Sequence, residues 1–458
     1  MSARYMYDLI VLGSGAGGSV AANQAVSEGK RVAVFEPGDI GGECPNWACV
    51  PTKALLHGAK MYTMAQEASD YSIKAKKKPE LDYKKLQRYK DLVVSRTGTA
   101  EGETALTEDG IAVYRKEARF INPHEVTAGG RRYSAAKILI ATGTHNFIPP
   151  ISGLEEAGYD TFFEAVNYQA APKSIFIVGG GPIGCEFAHL FASLGSKVHL
   201  AETMPRLLPA EDTEVGELVR AVFEEDGVNV ATEAKVTGVV KKGGRKLVHY
   251  ESGGDNTEHT VTVDTLLLAT GKRPNTDIGL ENAGVDYDKH RIKVNQHMQT
   301  SASNIYAAGD VVGPFQFTHT ASYQSRIAAH NMFHTKRKSI ARYNAIPRCV
   351  FVTPEVATVG ATEAELEKKG VKYRTGAATI DALGRANTDD QQTGFVKVLA
   401  DKNNVIRGAS IVSPRAGEMV HELTLAINAG VTATTLARTV HAFPTYSEAV
   451  KMACALME

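Results

Sequence analysis

The chain has 458 residues, more than one ordinary core holds, so two to four domains are expected. Lys plus Arg and Asp plus Glu both number 51, and this balance argues against a nucleic-acid or anionic-membrane binder, which needs a positive surface excess. With 43% apolar and 22% charged residues the chain is globular rather than disordered.

In chain order, MSARYMYDLIVLGSG enters a strand almost at once, which predicts no signal peptide. The stretch YDLIVLGSGAGGSVAANQAVSEGKRVAVFE then reads as strand, Gly-rich turn, Ala-rich helix and a second strand ending in an acid. Gly13, Gly15 and Gly18 form G-x-G-x-x-G. The first suits a tight turn, the second lets backbone approach a pyrophosphate, and the third permits close helix–strand packing. Phosphate would meet the free N–H groups of the following helix, and Glu36 would accept from ribose hydroxyls.

GGECPNWACVPTK follows, with four residues between Cys44 and Cys49. Pro45 suits the first helical position, so Cys44 is expected at a helix start, where the dipole lowers a thiol pKa as thiol–disulfide exchange requires. An ideal helix would rotate the two side chains apart. Pro51 predicts an opening of the helix at the carbonyl of Trp47. The spacing is wrong for zinc, no metal site is expected, and two inert buried thiols remain the plain alternative. Lys53 lies one turn beyond Cys49.

Residues 54–120 read as helices and then hairpin strands, with a solvated basic run from Lys74 to Lys78. From Lys173, KSIFIVGGGPIGCEFAHLFASLGSKVHLAE repeats the first unit through Gly179, Gly181 and Gly184, with Glu202 at the ribose position. A carboxylate there favours an unphosphorylated ribose and hence NADH over NADPH, although Arg206 is within reach of a 2′-phosphate. Each unit is followed by a strand ending Ala-Thr-Gly, at Gly143 and Gly271. After Ala345 alternating strands lead into amphipathic helices from Glu418 onward. Continuous apolar strands around helices imply parallel sheets, so the expected fold class is α/β: two Rossmann-like dinucleotide-binding domains plus a C-terminal α+β domain. Five scattered cysteines and no apolar run of roughly 20 residues predict a cytoplasmic protein without membrane contact.

These motifs, with NIYAAGDV around Asp310, resemble the flavoprotein pyridine nucleotide-disulfide reductases over essentially the whole chain. GFVKVLAD, GEMVHE and HAFPTYSEA look most like the dihydrolipoyl dehydrogenase and mercuric-reductase-like branches. The resemblance implies an FAD-binding domain at 1–150 and 271–344, an NAD(P)-binding domain at 151–270 and a dimerisation domain at 345–458. It implies that Ala118, Thr142, Gly143, Asp310, Phe317 and Thr318 join the first Gly turn around FAD, with a Lys53–Glu186 ion pair beside the flavin. Cys49 would be the flavin-proximal thiol and Cys44 the interchange thiol facing substrate. Cys185, Cys349 and Cys454 match no redox position.

The family's acid–base is a His directly before Pro-Thr, with a Glu five residues later. Here that position is Phe443, and Glu448 is kept. Positioned acid–base catalysis contributes about 10²–10⁴-fold. His441 shares a face with Phe443 in an extended segment but stands roughly 6.6–6.8 Å along it, and is either a substitute base or a structural histidine at a dimer interface. Mercuric-reductase-like proteins carry Tyr at this position, yet their C-terminal cysteine pair has no match here. The expected function is a homodimeric dihydrolipoyl-dehydrogenase-like oxidoreductase passing electrons from NADH through FAD and the cysteine pair to a small disulfide. The alternatives are a mercuric-reductase-like reductase of a metal ion or quinone, and a flavin- and NADH-binding sensor or complex component.

Overall fold

The computed structural model describes residues 5–74, 77–97, 102–253, 257–334 and 336–457. Lys74, Lys77 and Lys78 of the basic run are exposed, and Lys76 lies outside the described residues. The chain divides into two compact units. One comprises Met1–Ala54, Lys85–Ile148 and Gly271–Arg342; the other comprises Leu55–Lys84, Pro149–Thr270 and Tyr343–Glu458. Among the described residues no helix is long and apolar enough to cross a membrane.

In the first unit the strand Tyr7–Leu12 lies at the centre of a seven-stranded sheet. Val32–Phe35 and Arg131–Ile140 flank it in parallel, with Leu9 opposite Val32 and Ile10 opposite Ile138. Ala112–Tyr114 extends one side, and Ile305–Ala307 pairs in parallel with Arg131–Ile140. The run YDLIVL is apolar on both faces because both faces are covered. Leu9 and Val11 pack with Ala21 and Ala25 of the helix Ala16–Ser27, whereas Ile10 and Leu12 pack with Phe120 and Val126 of the antiparallel hairpin Arg119–Ala128. Leu9, Ile10 and Val11 are fully buried, each burial worth about 1.5–3 kcal/mol.

The second unit repeats the plan in a four-stranded parallel sheet, ordered Asn229–Ala231, Lys197–Ala201, Ser174–Val178, Thr265–Leu268. It also holds an antiparallel three-stranded sheet and a five-stranded antiparallel sheet. The latter runs Arg348–Val350, Glu355–Gly360, Ile406–Ser413, Phe395–Asp401, Tyr373–Thr379. The helices Ala416–Ala429, Ala433–Arg438 and Glu448–Ala455 close its core through Leu423, Leu436 and Val450. The α/β class is as the strand patterns predicted.

Candidate active site

The first glycine turn leaves the C-terminal end of Tyr7–Leu12. Gly13 has φ +101°, and a Cβ there would stand 2.2 Å from the carbonyl oxygen of Ala141, while a Cβ on Gly18 would stand 1.9 Å from that of Gly13. Both positions therefore exclude side chains. Gly15 caps the helix Ala16–Ser27 with no side-chain bond, and its carbonyl accepts from the N–H groups of Gly18 at 2.8 Å and Ser19 at 2.9 Å, so no side chain covers the helix start. Glu36, just past Val32–Phe35, accepts from the backbone N–H of Ser14 at 2.9 Å and of Gly38 at 2.8 Å. That fixes a carboxylate beside the turn. Thr142 donates to the carbonyl of Asn275 and Asn275 returns a bond to that of Thr142, both at 2.8 Å, while Gly143 takes φ +66°. Ala118 is buried at the start of the hairpin. The side-chain-free cradle, the helix start without a capping side chain and the neighbouring carboxylate suit the pyrophosphate and ribose of FAD.

Cys44 and Cys49 are brought together because the helix does break. A four-residue helix, Glu43–Asn46, ends at Trp47 (φ −144°, ψ 4°), and a new helix, Cys49–Gln66, begins two residues later. The break restores the proximity that continuous helical geometry would deny. The two thiols hydrogen-bond each other. Two expectations are corrected here. The helix starts at Glu43, so Pro45 is its third residue rather than its first. The Cys44 thiol is also held above its ordinary pKa rather than below it. The hydrogen bond with Cys49 is the main cause, burial adds to it, and Thr318 and Lys53 act only in the opposite sense. One helical turn has too little dipole to reverse that.

Thr318 opens the 16-residue helix Thr318–Phe333, with Phe317 as its cap residue, and its hydroxyl stands 3.8 Å from the Cys49 sulfur. Two residues on, the fully buried Thr320 hydroxyl has no hydrogen-bond partner. Asp310 is pushed up to about 6, chiefly by burial; Lys272 pulls it down and Glu43 pushes it further up. Glu43 and Lys272 form an ion pair one residue before Cys44. The sequence reading missed this pair. Its signals were an acid inside the cysteine motif and a cation directly after the second Ala-Thr-Gly.

The second turn copies the first. Gly179 has φ +108° with its would-be Cβ 2.4 Å from the Ala269 carbonyl oxygen, and a Cβ on Gly184 would stand 1.8 Å from that of Gly179. In both units the Ala of Ala-Thr-Gly thus abuts the first turn glycine, which accounts for the recurrence of the two motifs together. Gly181 caps Pro182–Ser193 without a side-chain bond. Glu202, buried, accepts from the N–H of Gly180 at 2.7 Å and of Met204 at 2.8 Å. The Arg206 guanidinium reaches the Glu211 carbonyl at 3.5 Å. Glu186, buried on the same helix, accepts from the N–H of Phe351 at 3.1 Å. Gly271 takes φ +92° and lies, like Lys53, in the first unit, whereas Glu186 lies in the second.

Towards the C-terminus, Phe443 is 78% exposed. His441 turns Nε2 onto Glu422 at 3.0 Å and Nδ1 onto the carbonyl of Thr439 at 3.1 Å, so both ring nitrogens are engaged. Glu448 accepts from the N–H of Thr445 at 3.1 Å. Glu422 was not singled out in the sequence; nothing in its local pattern marks it as the partner of a residue nineteen positions away.

A family profile described as pyridine nucleotide-disulphide oxidoreductase matches residues 7–325, and its dimerisation domain matches 346–454. A dihydrolipoyl dehydrogenase of Thermus scotoductus is 38% identical over 448 residues, covering 96% of this chain and 95% of that one. A mercuric reductase of Lysinibacillus sphaericus is 34% identical over 451 residues, covering 98% and 82%. The solved Cu(II) complex of the HOCl-induced flavoprotein disulfide reductase RclA from Escherichia coli superposes with a TM-score of 0.87 at 28% identity, covering 98% of this chain and 100% of that one. The chain belongs to the pyridine nucleotide-disulphide oxidoreductase family. That family is enzymatic, FAD-dependent and served by NAD(P)H, and the dimerisation domain supports a homodimer.

Proposed function

We propose that the protein is a cytoplasmic, NADH-dependent flavoprotein in which Cys44 and Cys49 cycle between dithiol and disulfide and deliver electrons to a thiophilic metal ion. Residues 1–150 and 271–344 would hold FAD, 151–270 the nicotinamide nucleotide, and 345–458 the dimer contact. Bound FAD would supply two-electron transfer between nicotinamide and sulfur, chemistry that no side chain performs. Ala118, Thr142, Gly143, Asp310 and the Phe317–Thr318 helix start would orient it. Cys49 would be the thiol nearer the flavin and Cys44 the thiol facing the acceptor. Lys53 would favour the thiolate.

The acceptor choice rests on the stretch 441–448. Forming the Cys44–Cys49 bond releases two electrons and two protons. A disulfide acceptor must take up both protons to leave as a dithiol, and a positioned acid speeds that step by about 10²–10⁴-fold. Phe443 carries no proton, and both nitrogens of His441 are engaged. A metal acceptor takes electrons alone, one for each of two Cu(II) ions or both for one Hg(II). The likeness to a mercuric reductase and to the Cu(II) complex of RclA supports this reading. The buried Glu202 supports NADH over NADPH, since a 2′-phosphate would meet like charge.

A dihydrolipoyl-type disulfide is the second reading, favoured by the 38% identity to the Thermus enzyme and by Glu448. NADH oxidation should be followed with Cu(II), Hg(II), a quinone, lipoamide and glutathione disulfide, for the native chain and Cys44→Ser. Metal-dependent turnover that disappears in Cys44→Ser is expected. Lipoamide turnover faster than metal turnover would overturn the first reading in favour of the second.

A further inference from the structure

The loop that follows the second glycine turn is tied at its far end to the C-terminal sheet. Leu208 donates its N–H to the carbonyl of Gly180 at 2.9 Å, and Leu207 packs so close that a Cβ on Gly180 would stand 2.6 Å from its methyl. Leu208 adopts φ +46°, a left-handed conformation that a branched side chain resists and that persists only where neighbours impose it. The imposing residues come next. Glu211 and Asp212 are only 7% and 5% exposed. Glu211 receives both Nε and Nη2 of Arg348, at 3.1 and 3.0 Å, and the Thr358 hydroxyl at 2.7 Å. Asp212 receives the Lys397 ammonium and the Ser410 hydroxyl, both at 3.0 Å, and the N–H of Glu363, also at 3.0 Å. Lys397 is shared with Glu214 and Glu363 at 2.9 Å each.

Arg348, Thr358, Lys397 and Ser410 lie on four different strands of the five-stranded sheet. Two adjacent acids thus plug into four strands. Largely buried, charge-assisted bonds of this kind restrain a backbone more strongly than neutral hydrogen bonds do. Glu202 completes the other end by accepting from Gly180 and Met204.

We propose that Glu211 and Asp212 are positioning residues for nicotinamide nucleotide binding. They hold loop 203–210 against the 179–181 turn, so that its backbone and Glu202 meet the nucleotide already arranged. This rests on reading the second turn as the nicotinamide nucleotide site. Preorganisation lowers the cost of ordering on binding, so loosening the clamp weakens binding without altering the electron-transfer step.

The test uses the FAD-loaded full-length protein with Thr358→Val, Glu211→Gln and Gly181→Asp. Flavin bleaching by NADH gives a limiting rate and a half-saturating NADH concentration, and calorimetry gives the Kd of ADP-ribose. Thr358→Val, which strands no charge, should raise both binding constants about threefold, and Glu211→Gln about tenfold, with the limiting rate unchanged. If Gly181→Asp weakens ADP-ribose while neither clamp variant does, and thermal unfolding shows only lost stability, the clamp is structural and the proposal fails. If Gly181→Asp also leaves ADP-ribose binding unchanged, the reading of the turn fails and takes the proposal with it.

Discussion

The Thr318 hydroxyl stands 3.8 Å from the Cys49 sulfur and also hydrogen-bonds the Cys44 thiol, so one side chain at a helix start serves both members of the pair. Its effect on Cys44 is to favour the thiolate, against the larger contrary effect of the bond with Cys49. Opposite outcomes follow for two variants of the NADH-reduced enzyme. Thr318→Val should slow iodoacetamide alkylation of Cys44 at pH 7 several-fold. Cys49→Ala, which removes the largest cause of the raised pKa, should speed it on the order of tenfold, because the thiolate is the nucleophile. Mass-spectrometric labelling rates check both, and equal rates in all three proteins would refute the coupling.

The glycine turns predict a separation of cofactors. Gly18→Ala places a methyl 1.9 Å from the Gly13 carbonyl oxygen, and Gly184→Ala one 1.8 Å from that of Gly179. Backbone cannot yield at such distances without displacing the turn. Gly18→Ala should purify with little yellow chromophore. Gly184→Ala should keep its flavin but need at least tenfold more NADH for half-maximal flavin bleaching. Absorbance at 450 nm relative to 280 nm, with NADH titration, decides it; the reverse pattern would exchange the two assignments.

His189 lies one turn beyond Glu186 on the helix Pro182–Ser193, buried, with Nδ1 unpartnered, and its pKa is lowered to about 4 by burial first and Lys60 second. Between about 4 and the ordinary value of 6.5 the unfolded chain binds a proton that the folded chain refuses. Stability therefore falls as pH drops through that window and is level above it. At pH 5 the loss is about 2 kcal/mol. His189→Leu should remove it, raising the unfolding midpoint relative to the native chain at pH 5 and leaving it nearly unchanged at pH 7.5. Equal differences at both pH values would show that the ring does not titrate as described.

Phe443→His restores a titratable ring five residues before Glu448. Lipoamide-dependent NADH oxidation should rise by about 10–100-fold, reaching at most the lower limit of about 10²-fold for positioned acid–base catalysis. Cu(II)-dependent turnover should stay unchanged, since it needs no protonated leaving thiol. No rise in lipoamide turnover, with flavin bleaching by NADH intact, would show that a missing acid is not what limits disulfide chemistry.

Much of the nucleotide-binding architecture is legible along the chain because its determinants are local. The G-x-G-x-x-G turns, the acids at Glu36 and Glu202 and the apolar strands between them obey short-range rules of backbone conformation and burial. The break between Cys44 and Cys49 is legible for the same reason, since Pro51 acts on a carbonyl four positions back. The thiol pKa was misjudged because its sign depends on Cys49, Thr318 and burial together, and Thr318 is 269 residues from Cys49.

The sequence by itself determined two glycine-rich strand–turn–helix units, a break between Cys44 and Cys49 and the absence of a proton-carrying side chain at position 443. Each follows from residue identity and spacing within some thirty positions. Only the tertiary structure decided that both nitrogens of His441 are occupied, that Glu43 pairs with Lys272, and that Glu211 and Asp212 are anchored in four strands of another sheet. Those partners lie from 2 to 229 residues apart, and which one a charge finds depends on how the chain is packed rather than on what stands next to it.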